Sequence, residues 1–113
     1  MFKKLVWHRS SLEDLKGFPR KVQRQVGFAL HEAQCGDKHP DAKPLKGFGG
    51  VMEVAGRFDT NTYRAVYYTK IADRIVVLHC FQKKSKHGIA TPKQEIDLIR
   101  QRLKEAEKEV SHD

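Results

Sequence analysis

The first residues of the chain alternate between a strand pattern and a helical pattern. Lys3 to His8 (KKLVWH) groups Leu, Val and Trp, bulky residues that favour a short strand. A first helix is predicted to begin at Ser10 or Ser11, because Ser11 and Asp14 have the spacing of a loose capping box. The N-terminus therefore predicts a strand followed directly by a helix.

A second and longer helix is predicted from Arg20 to Cys35, after an interruption at Gly17 and Pro19. Apolar residues recur in it at helical spacing, and Gly36 is placed to cap its C-terminus. These apolar positions are Val22, Val26, Ala29, Leu30 and Ala33. The two helices together predict a helical hairpin.

Strand patterns begin in the middle of the chain. The segment Asp37 to Gly50 contains two prolines and three glycines and has no period, so we predict a loop. Val51 to Asp59 alternates, with Glu53 and Arg57 on the same side of the predicted strand. Gly56 within it indicates a bulge or a close approach of another backbone.

Two further strands follow, separated by turns. Asp59 to Thr62 (DTNT) is a turn signal, and TYRAVYYT after it is a strand pattern. A second turn near Ala72 and Asp73 leads into RIVVLHCFQKK, which is apolar on both faces. This last run therefore predicts a central strand of the sheet.

The final element is predicted to be a helix that packs on the sheet. Thr91 has Gln94 three residues on, as in a capping box, and Pro92 suits the first helical position. The apolar positions are Ile96, Ile99, Leu103, Ala106 and Val110. The order β-α-α-β-β-β-α predicts one α+β domain over residues 1–113, with a twisted, mostly antiparallel sheet of about four strands.

Charge narrows the choice of partner. The chain of 113 residues has 22 Lys and Arg against 14 Asp and Glu, a formal charge of +8. This balance favours a polyanionic partner: nucleic acid, an acidic protein or an anionic membrane surface. No run is long enough to span a bilayer and no signal peptide is recognisable, so we expect a cytoplasmic protein.

Motifs for metals and cofactors are absent from the sequence. The six histidines lie at no metal-ligand spacing, and neither a phosphate-binding P-loop nor a dinucleotide fingerprint occurs. Cys35 and Cys80 are far apart and are expected to be reduced, buried thiols. We therefore expect a protein that needs neither a metal nor a cofactor.

Cations recur on or beside the predicted central strands, where they could bind phosphate. Arg offers a bidentate fork and Lys a mobile point charge. The positions are Lys43, Lys46, Arg57, Arg64, Lys83 and Lys84. Arg57 and Arg64 flank one turn and are candidates for cross-strand neighbours. The alternative is that each is an ordinary solvated residue.

Two residues of the lysine-rich segment after the last strand stay undecided on the residues alone. His87 could act as a general acid or base near neutral pH, or be a solvated loop histidine. Lys86 beside it is either a peripheral RNA contact or part of the same solvated loop.

An ordered set of short motifs resembles the phage-derived, HigB-like branch of the RelE/ParE toxin superfamily. It begins with KPLKG from Lys43 and ends with TPKQEI from Thr91. Between these lie Glu53 with Arg57, Tyr63-Arg64, and LHCFQKK from Leu78 to Lys84. The resemblance implies a RelE-like fold and the toxin of a type II toxin–antitoxin system.

The resemblance also implies an activity and partners. Toxins on the RelE/HigB side are metal-independent endoribonucleases that cut mRNA on the ribosome, through attack of a ribose 2′-OH on the adjacent phosphate. They are neutralised by a cognate antitoxin, here expected to be a helix-turn-helix protein. Two alternatives remain: a ParE-like gyrase inhibitor that is not an enzyme, and an inactive basic module that binds nucleic acid.

Site residues follow from the resemblance position by position. Arg64 is the candidate for contacting the scissile phosphate, Lys84 or Lys83 supplies the basic residue at the end of the last strand, and Arg57 adds charge. Lys43, Lys46 and Lys86 are candidates for holding RNA. Related toxins often carry a tyrosine or histidine near the C-terminus as a proton donor. The final helix here has no tyrosine, which leaves His87 as the nearby substitute.

Overall fold

Three helices pack on the two faces of a five-stranded sheet in the computed structural model, which describes residues 2–83 and 91–111. The fold is α+β and mostly antiparallel, as predicted. The strands are β1 (Lys4–Trp7), β2 (Ala42–Pro44), β3 (Val51–Phe58), β4 (Asn61–Ile71) and β5 (Arg74–Lys83), and the helices are α1 (Ser11–Lys16), α2 (Arg20–Gln34) and α3 (Lys93–Ser111).

The strand order is β1-β5-β4-β3-β2. Strands β2 to β5 run antiparallel to their neighbours, whereas β1 pairs in parallel with β5, Lys4 opposite Arg74. β5 therefore has a neighbour on each side, in agreement with its run of apolar residues. The fifth strand, β2, lies in the segment predicted to be a loop: Lys43 pairs with Glu53 of β3.

α1 and α2 cover one face of the sheet. Val22 and Val26 of α2 are fully buried against Val54 and Tyr67 in the larger core. Gly56 of β3 faces α2 closely: a Cβ added there would lie 2.6 Å from Gln25 Oε1. The close approach at Gly56 is therefore made by side chains of α2 and not by another backbone, and the pairing of β3 has no bulge there.

α3 covers part of the opposite face. Ile99 and Ala106 are buried there against Val66 and Leu78. The far half of α3 is fixed by Glu105, which accepts hydrogen bonds from Arg9 Nε at 2.8 Å and Nη2 at 2.7 Å, with His8 Nε2 also at 2.7 Å. These partners, the Arg9 hydrogen bond foremost, lower the pKa of Glu105 to about 2.

Three details of the predicted helix starts and thiols are wrong. Ser10 precedes α1 without a side-chain capping bond and donates instead to Asp14 Oδ2 at 3.0 Å. α3 begins at Lys93, so Pro92 precedes the helix, and the Thr91 hydroxyl points towards the sheet. Cys80 is buried as expected, but Cys35 is exposed, since it follows the last residue of α2.

Candidate anion-binding cleft

One end of the α3-side face of the sheet forms a cleft of about 560 Å³ beside β2, β3 and β4. α3 packs its apolar stripe over the other end of this face. The cleft is lined by Pro40, Asp41, Lys43, Glu53, Ala55 and Arg64. Its charged lining consists of two cations, Lys43 and Arg64, and two carboxylates, Asp41 and Glu53. The cleft is therefore a polar surface and not an apolar pocket.

Arg64 and Glu53 form the centre of the cleft. Glu53 lies opposite Val66 and Arg64 opposite Ala55, so the two side chains are diagonal neighbours on one face of β3 and β4. Arg64 Nη1 donates a hydrogen bond to Glu53 Oε1. Both side chains are largely shielded, at 12% and 14% exposed, which strengthens their attraction relative to a surface pair.

A third group reaches Glu53 from the segment that leads into α3. The Thr91 hydroxyl donates to Glu53 Oε2 at 3.3 Å. Glu53 therefore has one carboxylate oxygen on Arg64 and the other on Thr91. The contact joins the start of α3 to the wall of the cleft and orients the carboxylate.

Lys83 ends β5 on the same face of the sheet. It lies opposite Thr62 of β4, two residues along from the pair formed by Arg64 and Phe81. Its side chain is buried. Burial lowers the pKa of Lys83, the nearby Arg64 guanidinium lowers it further, and the Glu53 carboxylate opposes both effects. The charges of Arg64 and Glu53 therefore both act on the Lys83 ammonium, so the three side chains belong to one charged cluster.

The remaining predicted cations divide into three groups. Arg57 lies opposite Thr62 and shares the face of Arg64, so the two arginines are diagonal neighbours rather than a direct pair. Lys43 lines the cleft opposite Glu53, whereas Lys46 is an exposed residue between β2 and β3 that does not line it. The positions Lys84, Lys86 and His87 lie outside the described residues.

A buried polar network lies between β5 and α3. His79 stacks on Phe81 with ring centroids 4.9 Å apart, and its Nε2 is hydrogen-bonded to Glu95. Arg102 Nη1 lies 3.3 Å from His79 Nδ1 and donates to the Leu78 carbonyl at 2.9 Å. Because a guanidinium only donates, His79 accepts at Nδ1 and carries its proton on Nε2. His79 is thus a core residue whose two ring nitrogens both have partners.

Sequence reasoning did not assign Glu53 or Asp41 of the cleft to the site, nor Thr91, which contacts Glu53. The strand alternation already placed Glu53 on the side of Arg57, which was the available signal. Thr91 gave no such signal, since its contact depends on how α3 packs. Across residues 2–83 and 91–111, no group of three or more His, Cys, Asp or Glu side chains is arranged to hold a metal ion. None of the helices in those residues is long and apolar enough to cross a membrane.

A family model described as phage-derived protein Gp49-like (DUF891) matches residues 13–104. The chain belongs to the Gp49-like family. The match runs from α1 into α3 and so includes every residue assigned to the cleft. Searching the curated proteins gives no match to this Gp49-like chain.

Solved structures that match this chain include a free toxin and a toxin–antitoxin complex. An arginine-to-alanine double mutant of E. coli toxin RelE in the free state matches with a TM-score of 0.54 and 20% identity, over 71% of this chain and 82% of RelE. The RelBE2 toxin–antitoxin complex from Mycobacterium tuberculosis gives a TM-score of 0.47 and 20% identity, over 74% of this chain and 100% of its own. The first likeness shows that this Gp49-like protein has a RelE-like fold.

Proposed function

We propose that this Gp49-like protein is the toxin of a type II toxin–antitoxin system and cuts ribosome-bound mRNA as a metal-independent endoribonuclease. Arg64 carries the proposal, because it is a shielded guanidinium in a cleft of nucleotide size and has a carboxylate and a lysine beside it. The RelE-like fold and the charge of +8 are consistent with it. Within the superfamily we place the chain in the HigB-like branch, on its motifs from Lys43 to Leu103.

The cleft offers a partner for each step of a 2′-OH attack. In this reaction the O2′–P bond forms and the P–O5′ bond breaks, leaving a 2′,3′-cyclic phosphate and a 5′-OH. The 2′-OH loses a proton, the phosphate accumulates negative charge, and the leaving O5′ gains a proton. Positioning and charge neutralisation by preorganised donors supply much of the acceleration of such reactions.

In this scheme Arg64 binds the scissile phosphate, and the Glu53 carboxylate accepts the proton of the 2′-OH. A phosphate that takes the Arg64 fork displaces the Glu53 carboxylate from its cation. Binding of the substrate would therefore release the Glu53 carboxylate from Arg64 and leave one of its oxygens available to accept the proton of the 2′-OH.

Lys83 is proposed to act on the leaving O5′ atom. Its lowered pKa makes its ammonium a stronger acid than that of an ordinary lysine, so it can protonate or stabilise the departing O5′. Arg57 and Lys43, exposed at the edges of the same face, are assigned to neighbouring phosphates of the mRNA or of ribosomal RNA. Lys46, Lys84 and Lys86 are proposed as further RNA contacts, and His87 as a second candidate for the proton donor.

The test compares wild-type protein with Arg64→Ala and Arg64→Lys after induction in cells, with mapping of mRNA 5′ ends. We expect growth arrest and new 5′ ends for the wild type. Arg64→Ala should lose cleavage by about 10²–10³-fold, as when a transition-state donor is removed. Arg64→Lys keeps the charge but not the fork, and shows whether a loss reflects chemistry rather than folding. Arg20→Ala on α2, across the sheet, should cleave as the wild type does.

Two outcomes would overturn the proposal. Growth arrest with DNA damage signalling and no new RNA ends would identify a ParE-like gyrase inhibitor. RNA binding without arrest or cleavage would identify a basic binding module. The assay is done in cells or with ribosomes present, since the ribosome is part of the proposed substrate.

A further inference from the structure

The outer face of α2 carries an exposed aromatic and basic stripe. Lys21, Arg24, Phe28 and His31 are spaced i, i+3, i+7 and i+10, so they follow one another along one side of the helix. The Phe2 ring continues the line, with its centroid 5.6 Å from that of His31. These five residues are all exposed and are called the α2 stripe.

Two large aromatic rings of the stripe face solvent. Phe28 is 65% exposed and Phe2 is 60% exposed, the two highest values among the large apolar side chains that the structure describes. The packing of α2 does not account for them, since the helix buries the opposite face through Val22, Val26 and Ala29. Neighbouring exposed aromatic and arginine side chains are typical of protein interfaces.

The α2 stripe and the cleft lie on opposite sides of the sheet. α2 packs against the face that contains Val54 and Tyr67, whereas Glu53 and Arg64 point from the other face. A partner bound to the stripe therefore need not enter the cleft. The stripe has no part in the catalytic assignment made above.

We propose that the α2 stripe binds an acidic, amphipathic segment of the cognate antitoxin, an inference that rests on the proposed toxin function. Lys21 and Arg24 present positive charge at the N-terminal half of the stripe, and Phe28 and Phe2 present apolar surface at the other half. A complementary helix carries carboxylates facing the first half and an aliphatic anchor between the two rings. Both contacts are available to one short segment of about three turns.

The shape of the stripe favours a protein over RNA. Single-stranded nucleic acid is bound in positively charged grooves, in which bases stack on aromatic rings. The stripe instead runs along the convex outside of a helix. Glu32, four residues after Phe28, adds a negative charge beside the ring, which would repel a phosphate backbone.

The experiment uses the full chain and the proteins encoded by the two flanking reading frames as probes. Each is co-expressed with the wild type, and the one that forms a complex is titrated by calorimetry. Two stripe variants are compared: Phe28→Ala, and the double charge reversal Lys21→Glu/Arg24→Glu. The matched controls are Phe58→Ala, an exposed phenylalanine at the tip of a hairpin, and Lys104→Glu on α3.

We expect Phe28→Ala to weaken the complex by more than about 30-fold, as at a hot spot, and the controls to change it by less than about twofold. The charge reversal should also weaken it and reduce its dependence on salt. In cells, the stripe variants should arrest growth as the wild type does, but co-expression of the partner should no longer rescue them.

The inference is wrong if neither flanking protein binds the wild type, even where the chain alone arrests growth and cleaves mRNA. It is also wrong if Arg64→Ala abolishes the complex while the stripe variants keep it. Competition for the stripe by an oligoribonucleotide would assign it to RNA instead. Self-association of the free chain that Phe28→Ala removes would assign it to a second copy.

Discussion

Arg64 donates a hydrogen bond to Glu53 from the neighbouring strand, so the candidate phosphate-binding guanidinium is already held by an anion of the protein itself. The pair is largely shielded, and Thr91 holds the second carboxylate oxygen. The Glu53 carboxylate keeps the Arg64 fork in position when no substrate is bound. Under the proposed function, RNA would have to compete with Glu53 for the guanidinium.

Glu53→Gln is expected to separate binding from cleavage. Removing the negative charge leaves the cleft more positive, so the variant should bind RNA more tightly than the wild type. Cleavage should fall by about 10²–10⁴-fold if the carboxylate is the base. Filter binding at two salt concentrations and mapping of 5′ ends measure the two effects. Weaker binding together with unchanged cleavage would contradict both assignments.

The pKa of Lys83 is expected to change when either Arg64 or Glu53 is substituted. Arg64 lowers the pKa of Lys83 and Glu53 raises it, while burial sets the overall downward direction. The pKa should therefore rise in Arg64→Ala and fall further in Glu53→Gln. Carbon-13 NMR of the lysine side chains across a pH series measures it. Lys104, which is exposed on α3 and does not line the cleft, is the internal reference for the spectra.

Gly56→Ala is expected to destabilise the fold. The added Cβ would lie 2.6 Å from Gln25 Oε1 and 3.0 Å from Val22 Cγ1, so the Gln25 side chain must move and lose its hydrogen bond to the Ala55 carbonyl. Overpacking of this kind costs about 1–3 kcal/mol of the free energy of unfolding. Gly27→Ala is the matched control, because nothing lies within 4 Å of its Cβ position, and it should stabilise α2 by about 0.5–1 kcal/mol. Urea unfolding of both variants gives the comparison.

Acid should weaken the attachment of α3 through Glu105. Its pKa is about 2 in the folded protein against an ordinary 4.5, so it binds a proton more readily when unfolded. The stabilisation is complete above pH 4.5 and is lost as the pH falls towards 2. The stability difference between wild type and Glu105→Gln should therefore narrow over this range. A difference that stays constant over this range would contradict the role of the Arg9 and His8 contacts.

The sequence predicted the parts of the fold that depend on local patterns. Alternation and turn residues located β3 and β4, and the run around His79 identified β5 as central. β2 was missed because three residues that include Pro44 give no strand period, and their order comes from pairing with β3. The parallel pairing of β1 could not be predicted, since it joins residues distant in the chain.

For the candidate site, the sequence predicted the cations but not the contacts that depend on tertiary packing. Their positions on either side of one turn made Arg57 and Arg64 candidates for cross-strand neighbours, and the register places them diagonally on one face. The contact of Thr91 with Glu53 depends on the docking of α3, and the pattern at Thr91 suggested a helix cap instead. Local rules therefore named the cations, while the carboxylate that organises them required the tertiary structure.

The parallel pairing of β1 with β5 has a consequence for how the molecule is made. Lys4 finds its partner only after Arg74 has been synthesised, and Arg9 finds Glu105 later still. Contacts so far apart in the chain form slowly, because the loop between them must close first. A nascent chain can therefore complete its sheet only after β5 has been made, and α3 is seated later still.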